Sequence, residues 1–174
     1  PAHLIGDRDS AAHDAWAWAE EHGARVHAFP PAKDFTDTEL ALRIAAELMP
    51  CALVILTGAF GGRFDHLMSA ASVAAHAALP CILADEREAL FFLHDDESLT
   101  ITCDSPPQAI SLLPFTEECT GITTNGLRWE LSHAQIHTHS STTISNVLAE
   151  GNTEHCFSVA LGSGILGVYL CHKE

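Results

Sequence analysis

The chain has 174 residues, enough for one medium domain or two small ones, and its 47% apolar content can bury an ordinary core, which excludes a disordered segment. Eight basic against twenty-three acidic side chains give a formal net charge of −15, which repels nucleic acid and anionic membrane and suits a cationic partner or Mg²⁺. No stretch has the roughly eighteen apolar residues of a membrane span, no signal-peptide pattern is present, and the six cysteines form no CxxC pair, so a cytoplasmic protein with reduced core thiols is expected.

The chain opens on PAHLIGD rather than on a methionine, and its true start is expected upstream. HLI (3–5) predicts a short strand ending at Gly6, followed by a helix capped by Ser10 and stopped at Gly23. RVHAF (25–29) reads as a strand closed by Pro30 and Pro31. Thr36 and Glu39 match a capping box, and Leu40, Ile44 and Leu48 share one face of the helix that follows, to about Met49. ALVIL (52–56) is a continuous apolar run of the kind buried on both faces of a parallel sheet; an alanine-rich helix to about Ala78 and CILA (81–84) repeat the unit. This is βαβ architecture, predicting a Rossmann-like parallel-sheet domain over 1–95.

Beyond Asp95 the pattern changes. LTITC, AISLLP, LRWEL, HCFSVAL and ILGVYL are short runs separated by Pro, Gly, Asn and Ser clusters, which predicts an antiparallel β domain over 96–174, joined through the acidic HDDES (94–98).

Ligands of open α/β sheets bind beyond the carboxyl ends of the strands, and three acidic stretches follow predicted strands: GDRDS (6–10), KDFTD (33–37) and GGRFD (61–65). In extended geometry Asp7 and Asp9 point the same way. Convergent carboxylates repel one another unless a divalent cation such as Mg²⁺ lies between them. GAFGGRFDH (58–66) permits two readings. It is either a Gly-rich strand-to-helix turn with Asp65 as N-cap, or a site where Gly61 and Gly62 let backbone amides approach phosphate oxygens and Arg63 grips them. No P-loop, GxGxxG or GxSxG motif occurs. HAQIHTH (133–139) reads as exposed strand histidines rather than a zinc site.

Taken together, GDRDS, KDFTDTELAL (33–42), TGAFGGRFDH (57–66), ISLLPF (110–115), GLRWEL (126–131) and TISN (143–146) stand in the order and spacing of thiamine pyrophosphokinases, and the chain resembles that family over nearly its whole length. The resemblance implies an α/β catalytic domain followed by a C-terminal β-sandwich that binds thiamine. It further implies a homodimer with active sites between subunits, and transfer of a diphosphoryl group from ATP to thiamine. By the same resemblance Asp7, Asp9 and Asp37 hold Mg²⁺ and the triphosphate, and Asp65 orients or deprotonates the thiamine hydroxyl. Gly61, Gly62 and Arg63 face the phosphates, and His66, Trp129, Ser145 and Asn146 complete the substrate-binding set.

Three departures from the family pattern stand out. A further strand and helix generally precede the segment matching PAHLIGDRDS; Arg8 stands between the paired aspartates in place of an apolar residue; and Val147 follows TISN where a glutamate is usual. Two other functions accommodate the same residues, a non-catalytic dimeric binder of thiamine or nucleotide and another Mg²⁺-dependent nucleotide phosphohydrolase.

Overall fold

A computed structural model describes residues 1–7, 13–30, 32 and 34–172. The chain forms two compact units, residues 1–52 with 77–79, and residues 53–76 with 80–174. Ser10, the expected cap of the first helix, lies outside the described residues, as do Arg8 and Asp9.

In the first unit, β1 (His3–Gly6) and β2 (Arg25–Ala28) pair in parallel, with His3 opposite Arg25 and Gly6 opposite Ala28. The helix α1 (His13–Glu21) lies between them in sequence, as a parallel crossover requires. It ends at Gly23, where the Gly23 amide bonds to the Glu20 carbonyl and the Ala24 amide to the Ala19 carbonyl. Gly23 has φ +87°, so this is the left-handed cap that favours glycine.

The helix α2 (Asp37–Leu48) begins at Thr36, whose hydroxyl accepts from the Glu39 amide at 3.2 Å. The Glu39 carboxylate pairs with Arg43 one turn on, at 2.7 Å. Leu40 and Leu42 are buried, whereas Leu48, expected on the buried face and the last residue of α2, is 47% exposed.

The second unit carries two sheets. One has the order β3 (Val54–Leu56), β4 (Cys81–Ala84), β5 (Glu88–Leu93), β11 (Leu166–Cys171), β7 (Ala109–Pro114). The other has the order β6 (Ser98–Thr102), β10 (Cys156–Ala160), β8 (Glu118–Asn125), β9 (Ala134–His137). Only β3 and β4 run parallel, with α3 (Phe64–Ala75) between them in sequence. From β4 onward the pairing is antiparallel, because a three-residue turn joins β4 to β5 and leaves no room for a crossover. Asp85 closes that turn by accepting from the Arg87 and Glu88 amides at 2.9 Å each. Residues 94–97 form a second tight turn, in which the Glu97 amide bonds to the His94 carbonyl.

The fold is therefore a mixed α/β one. Two of the expected segments differ from the sequence reading. ALVIL was expected to be buried on both faces, yet Leu53 and Ile55, which alternate onto one face, are 56% and 59% exposed, and β3 is the edge strand of its sheet. LRWEL is a turn rather than a strand: Gly126 has φ +82°, and the Glu130 side chain closes the loop by accepting from the Gly126 amide at 2.8 Å. The main core draws on both sheets, with Phe157, Ile122 and Val159 from one, and Ile110, Leu166 and Val168 from the other.

Candidate active site

In the first unit the acidic residues gather at the carboxyl end of β1. Asp7 follows Gly6 directly, and Asp37 opens α2 immediately after the Thr36 cap. A β-carbon built on Gly6 would lie 2.7 Å from Oδ2 of Asp37, and Gly6 has φ +146°. Glycine is required twice over, for the backbone conformation and for the space in which the Asp37 carboxylate lies. This seats Asp37 against the residue next to Asp7, and both are half-buried. The third expected carboxylate, Asp9, lies outside the described residues. Among the described residues no group of three or more His, Cys, Asp and Glu side chains is arranged to hold a metal. Two carboxylates nevertheless suit Mg²⁺, a hard cation that keeps several waters and typically takes one or two carboxylates beside substrate phosphates.

In the second unit, GAFGGRFDH leaves β3 and enters α3. Of its three glycines only Gly58, at φ +72°, needs to be glycine for its backbone. A β-carbon on Gly62 would meet nothing within 4 Å, and one on Gly61 only the Gly58 carbonyl at an ordinary 3.6 Å. Packing within the chain therefore does not demand glycine at 61 or 62; their bareness leaves the backbone open to an approaching group.

The N-cap of α3 is Arg63, not Asp65, and it makes no side-chain cap bond. Its guanidinium instead grips Asp65 in a two-pronged pair, Nε to Oδ1 at 3.1 Å and Nη2 to Oδ2 at 2.5 Å. Both side chains are exposed. The Arg63 hydrogen bonds hold the Asp65 carboxyl below the usual carboxylate range and raise the guanidinium correspondingly. Such a carboxylate is a weak proton acceptor, though each oxygen keeps a lone pair to receive a hydroxyl. His66 is exposed on the same first turn.

Trp129, Ser145 and Asn146 come together on two adjoining loops. Asn146 Oδ1 accepts from the Trp129 amide at 3.2 Å, and Asn146 Nδ2 donates to the Trp129 carbonyl at 2.8 Å. Asn146 Oδ1 also accepts from the Val147 amide at 2.9 Å. Trp129 is 58% exposed, and the Arg128 guanidinium carbon lies 5.2 Å from its ring centroid. Ser145 is held at φ +61°, an uncommon conformation for a residue with a side chain.

Sequence reasoning missed Tyr169 and Glu88. Tyr169 on β11 donates its hydroxyl to Glu88 Oε1 on β5, and its ring lies 6.4 Å from that of Phe60 in the glycine-rich turn. Burial, then the bond to Glu88, push the Tyr169 hydroxyl well above the usual phenol range. No motif marks this pair, because its members stand eighty-one residues apart. The histidine run gives a stacked pair, His137 and His139, with ring centroids 5.2 Å apart.

These features match a known family in two consecutive parts. Residues 1–82 match the catalytic domain of thiamin pyrophosphokinase, and residues 95–165 match its vitamin B1 binding domain. The thiamine pyrophosphokinase of Bacillus subtilis is 29% identical over 165 residues, covering 93% of this chain and 75% of that protein. A crystal structure of thiamine pyrophosphokinase from Bacillus subtilis aligns with a TM-score of 0.82 at 25% identity, over 100% of this chain and 80% of the other. The thiamin pyrophosphokinase of Candida albicans shares the fold at 16% identity, with a TM-score of 0.77 over 98% and 73% of the two chains. With both family domains matched in order along most of its length, the chain belongs to the thiamin pyrophosphokinase family.

Proposed function

We propose that this chain transfers a diphosphoryl group from ATP to the primary hydroxyl of thiamine, giving thiamine diphosphate and AMP. The hydroxyl oxygen forms a bond to the β-phosphorus as the bond from that phosphorus to the oxygen bridging it to the α-phosphorus breaks, and the hydroxyl proton leaves to solvent. Such a reaction rests on in-line positioning and on neutralising phosphate charge. The observation that carries this reading is the seat of the Asp37 carboxylate on Gly6, beside Asp7, at the end of β1.

Asp7 and Asp37, with Asp9, would hold Mg²⁺. When bound, Mg²⁺ supplies positive charge to the phosphate oxygens. The bare backbone at Gly61 and Gly62 receives phosphate oxygens, and Arg63 adds a second positive group. With its carboxyl held low by Arg63, Asp65 orients the thiamine hydroxyl rather than deprotonating it. His66 lies one residue on, exposed on the same first turn of α3. Trp129 offers an exposed ring face to the aminopyrimidine, with Ser145 and Asn146 on the adjoining loop.

The finer architecture belongs to the same reading: a Rossmann-like catalytic domain over 1–95, and a β-sandwich binding thiamine over 96–174. The two family matches part between residues 82 and 95, which supports that division, although the compact units part at residue 52 and one sheet joins β3, β4 and β5 to β11 and β7. Family membership also supports a homodimer whose thiamine sites lie between subunits. A cytoplasmic setting belongs to the same reading, and the six cysteines, none of them in a disulfide, accord with it.

The test is AMP release from ATP and Mg²⁺ with and without thiamine. Release that requires thiamine and is abolished by chelation supports the proposal. Release without thiamine would point to a nucleotide phosphohydrolase, and thiamine binding without any release to a non-catalytic binder.

A further inference from the structure

Among the described residues the buried polar side chains are Ser111, on β7, and Thr124, on β8. Both hydroxyls are used on the two loops that frame Trp129. Thr124 Oγ1 accepts from the Leu131 amide at 2.9 Å, and the Thr124 amide bonds back to the Leu131 carbonyl at 3.0 Å, which fixes the end of the turn carrying Trp129. Ser111 Oγ accepts from the Ser145 amide at 2.9 Å, at the residue held at positive φ.

The second loop is anchored to β7 beside Ser111. Ile110 and Asn146 exchange backbone bonds at 2.7 and 2.8 Å, and Leu112 and Thr143 do so through backbone and hydroxyl at 3.0 and 2.7 Å. The loops are then tied to each other by Asn146, whose amide group brackets the Trp129 backbone, and by the Arg128 amide on the Val147 carbonyl at 2.8 Å. A buried hydroxyl is tolerated only when hydrogen-bonded, and here each bond is made to a backbone amide that no strand partner serves. What the network supports is Trp129, a residue left 58% exposed.

We propose that Ser111 and Thr124, acting through these loops, are positioning residues that pre-set the Trp129 ring for a flat heteroaromatic substrate, and that Asn146 belongs to this scaffold as a clamp rather than as a ligand contact. This rests on the reading of Trp129 as the thiamine platform. A side chain fixed before binding loses little freedom on binding, so loosening it weakens affinity for the ring that stacks on it more than it slows the phosphoryl transfer.

The test compares Ser111→Ala, Thr124→Val and Asn146→Asp with the unaltered chain, reading thiamine KM, ATP KM and kcat, and the thiamine-induced fluorescence quenching that disappears in Trp129→Phe. Asn146→Asp keeps an acceptor for the Trp129 amide but sets a carboxylate oxygen against its carbonyl in place of the donor, and, since Asn146 is not a core residue, it remains informative if a core variant does not fold. We expect thiamine KM to rise about tenfold with kcat and ATP KM within about twofold, quenching to shift in parallel, and Thr124→Ser to restore the unaltered values. An unchanged thiamine KM in folded variants, or an equal loss in both KM values and in kcat, overturns the proposal. If instead Trp129→Phe and Trp129→Ala leave thiamine KM unchanged in an active enzyme, the platform reading itself fails.

Discussion

The Asp37 carboxylate occupies the space that a side chain on Gly6 would need, with Oδ2 only 2.7 Å from where that β-carbon would stand. Gly6→Ala must therefore push Asp37 aside, and it also places a side chain at φ +146°. The strain costs about 1–3 kcal/mol of stability. Activity should suffer more than folding. We expect a rise in the Mg²⁺ concentration giving half-maximal AMP release, measured by titration alongside thermal unfolding. An unaltered Mg²⁺ titration would remove Asp37 from the metal site.

Arg63 lowers the Asp65 carboxyl, so Arg63→Ala should let it rise toward its ordinary range. If ionised Asp65 is needed to orient the hydroxyl, the acid limb of the pH–rate profile moves to higher pH in the variant. On the proposed role of Arg63 as a phosphate partner the overall rate falls as well, but that changes the height of the profile and not the position of its limb. Asp65→Asn should abolish the limb. A limb at the same pH in Arg63→Ala would show that another group controls it.

Tyr169 is the sole tyrosine of the chain, so its ionisation is read directly by tyrosinate absorbance. Its folded-state value is raised, hence the stabilisation is complete below the unfolded phenol value of about 10 and is lost as pH climbs from there through the folded value. Tyr169→Phe leaves Glu88 Oε1 without its donor and should cost about 1–3 kcal/mol at neutral pH. The gap in Tm between the two proteins should narrow above about pH 10. A constant gap across that range would mean that the hydroxyl does not carry the effect.

Much of this was legible in the sequence where the signal is local. The Thr36 cap and the strand AISLLP appear where turn chemistry and apolar patterning place them. What escaped depends on distant partners. The strand β8, Glu118–Asn125, is rich in Thr and interrupted by Gly121, whose φ of +69° marks an irregular register between Cys119 and Ile122, so neither alternation nor an apolar run announced it. The edge position of β3 is set by which strands pair, and composition is blind to that. At the site, the acidic and glycine motifs were visible as motifs, whereas the Arg63–Asp65 pair, the Asn146 clamp and the buried Ser111 and Thr124 emerge only from geometry.

The three-residue turn at Asp85 has a mechanical consequence. It stitches β4 to β5, so β3, from which the glycine-rich turn leaves, belongs through β4 to the same sheet as β11 and β7. The peptide carrying Arg63 and Asp65 is slung from a lattice woven largely by the later half of the sequence. Breathing of that sheet, and amide exchange from it, is thus felt at the glycine-rich turn, whose rigidity is borrowed from strands far along the sequence.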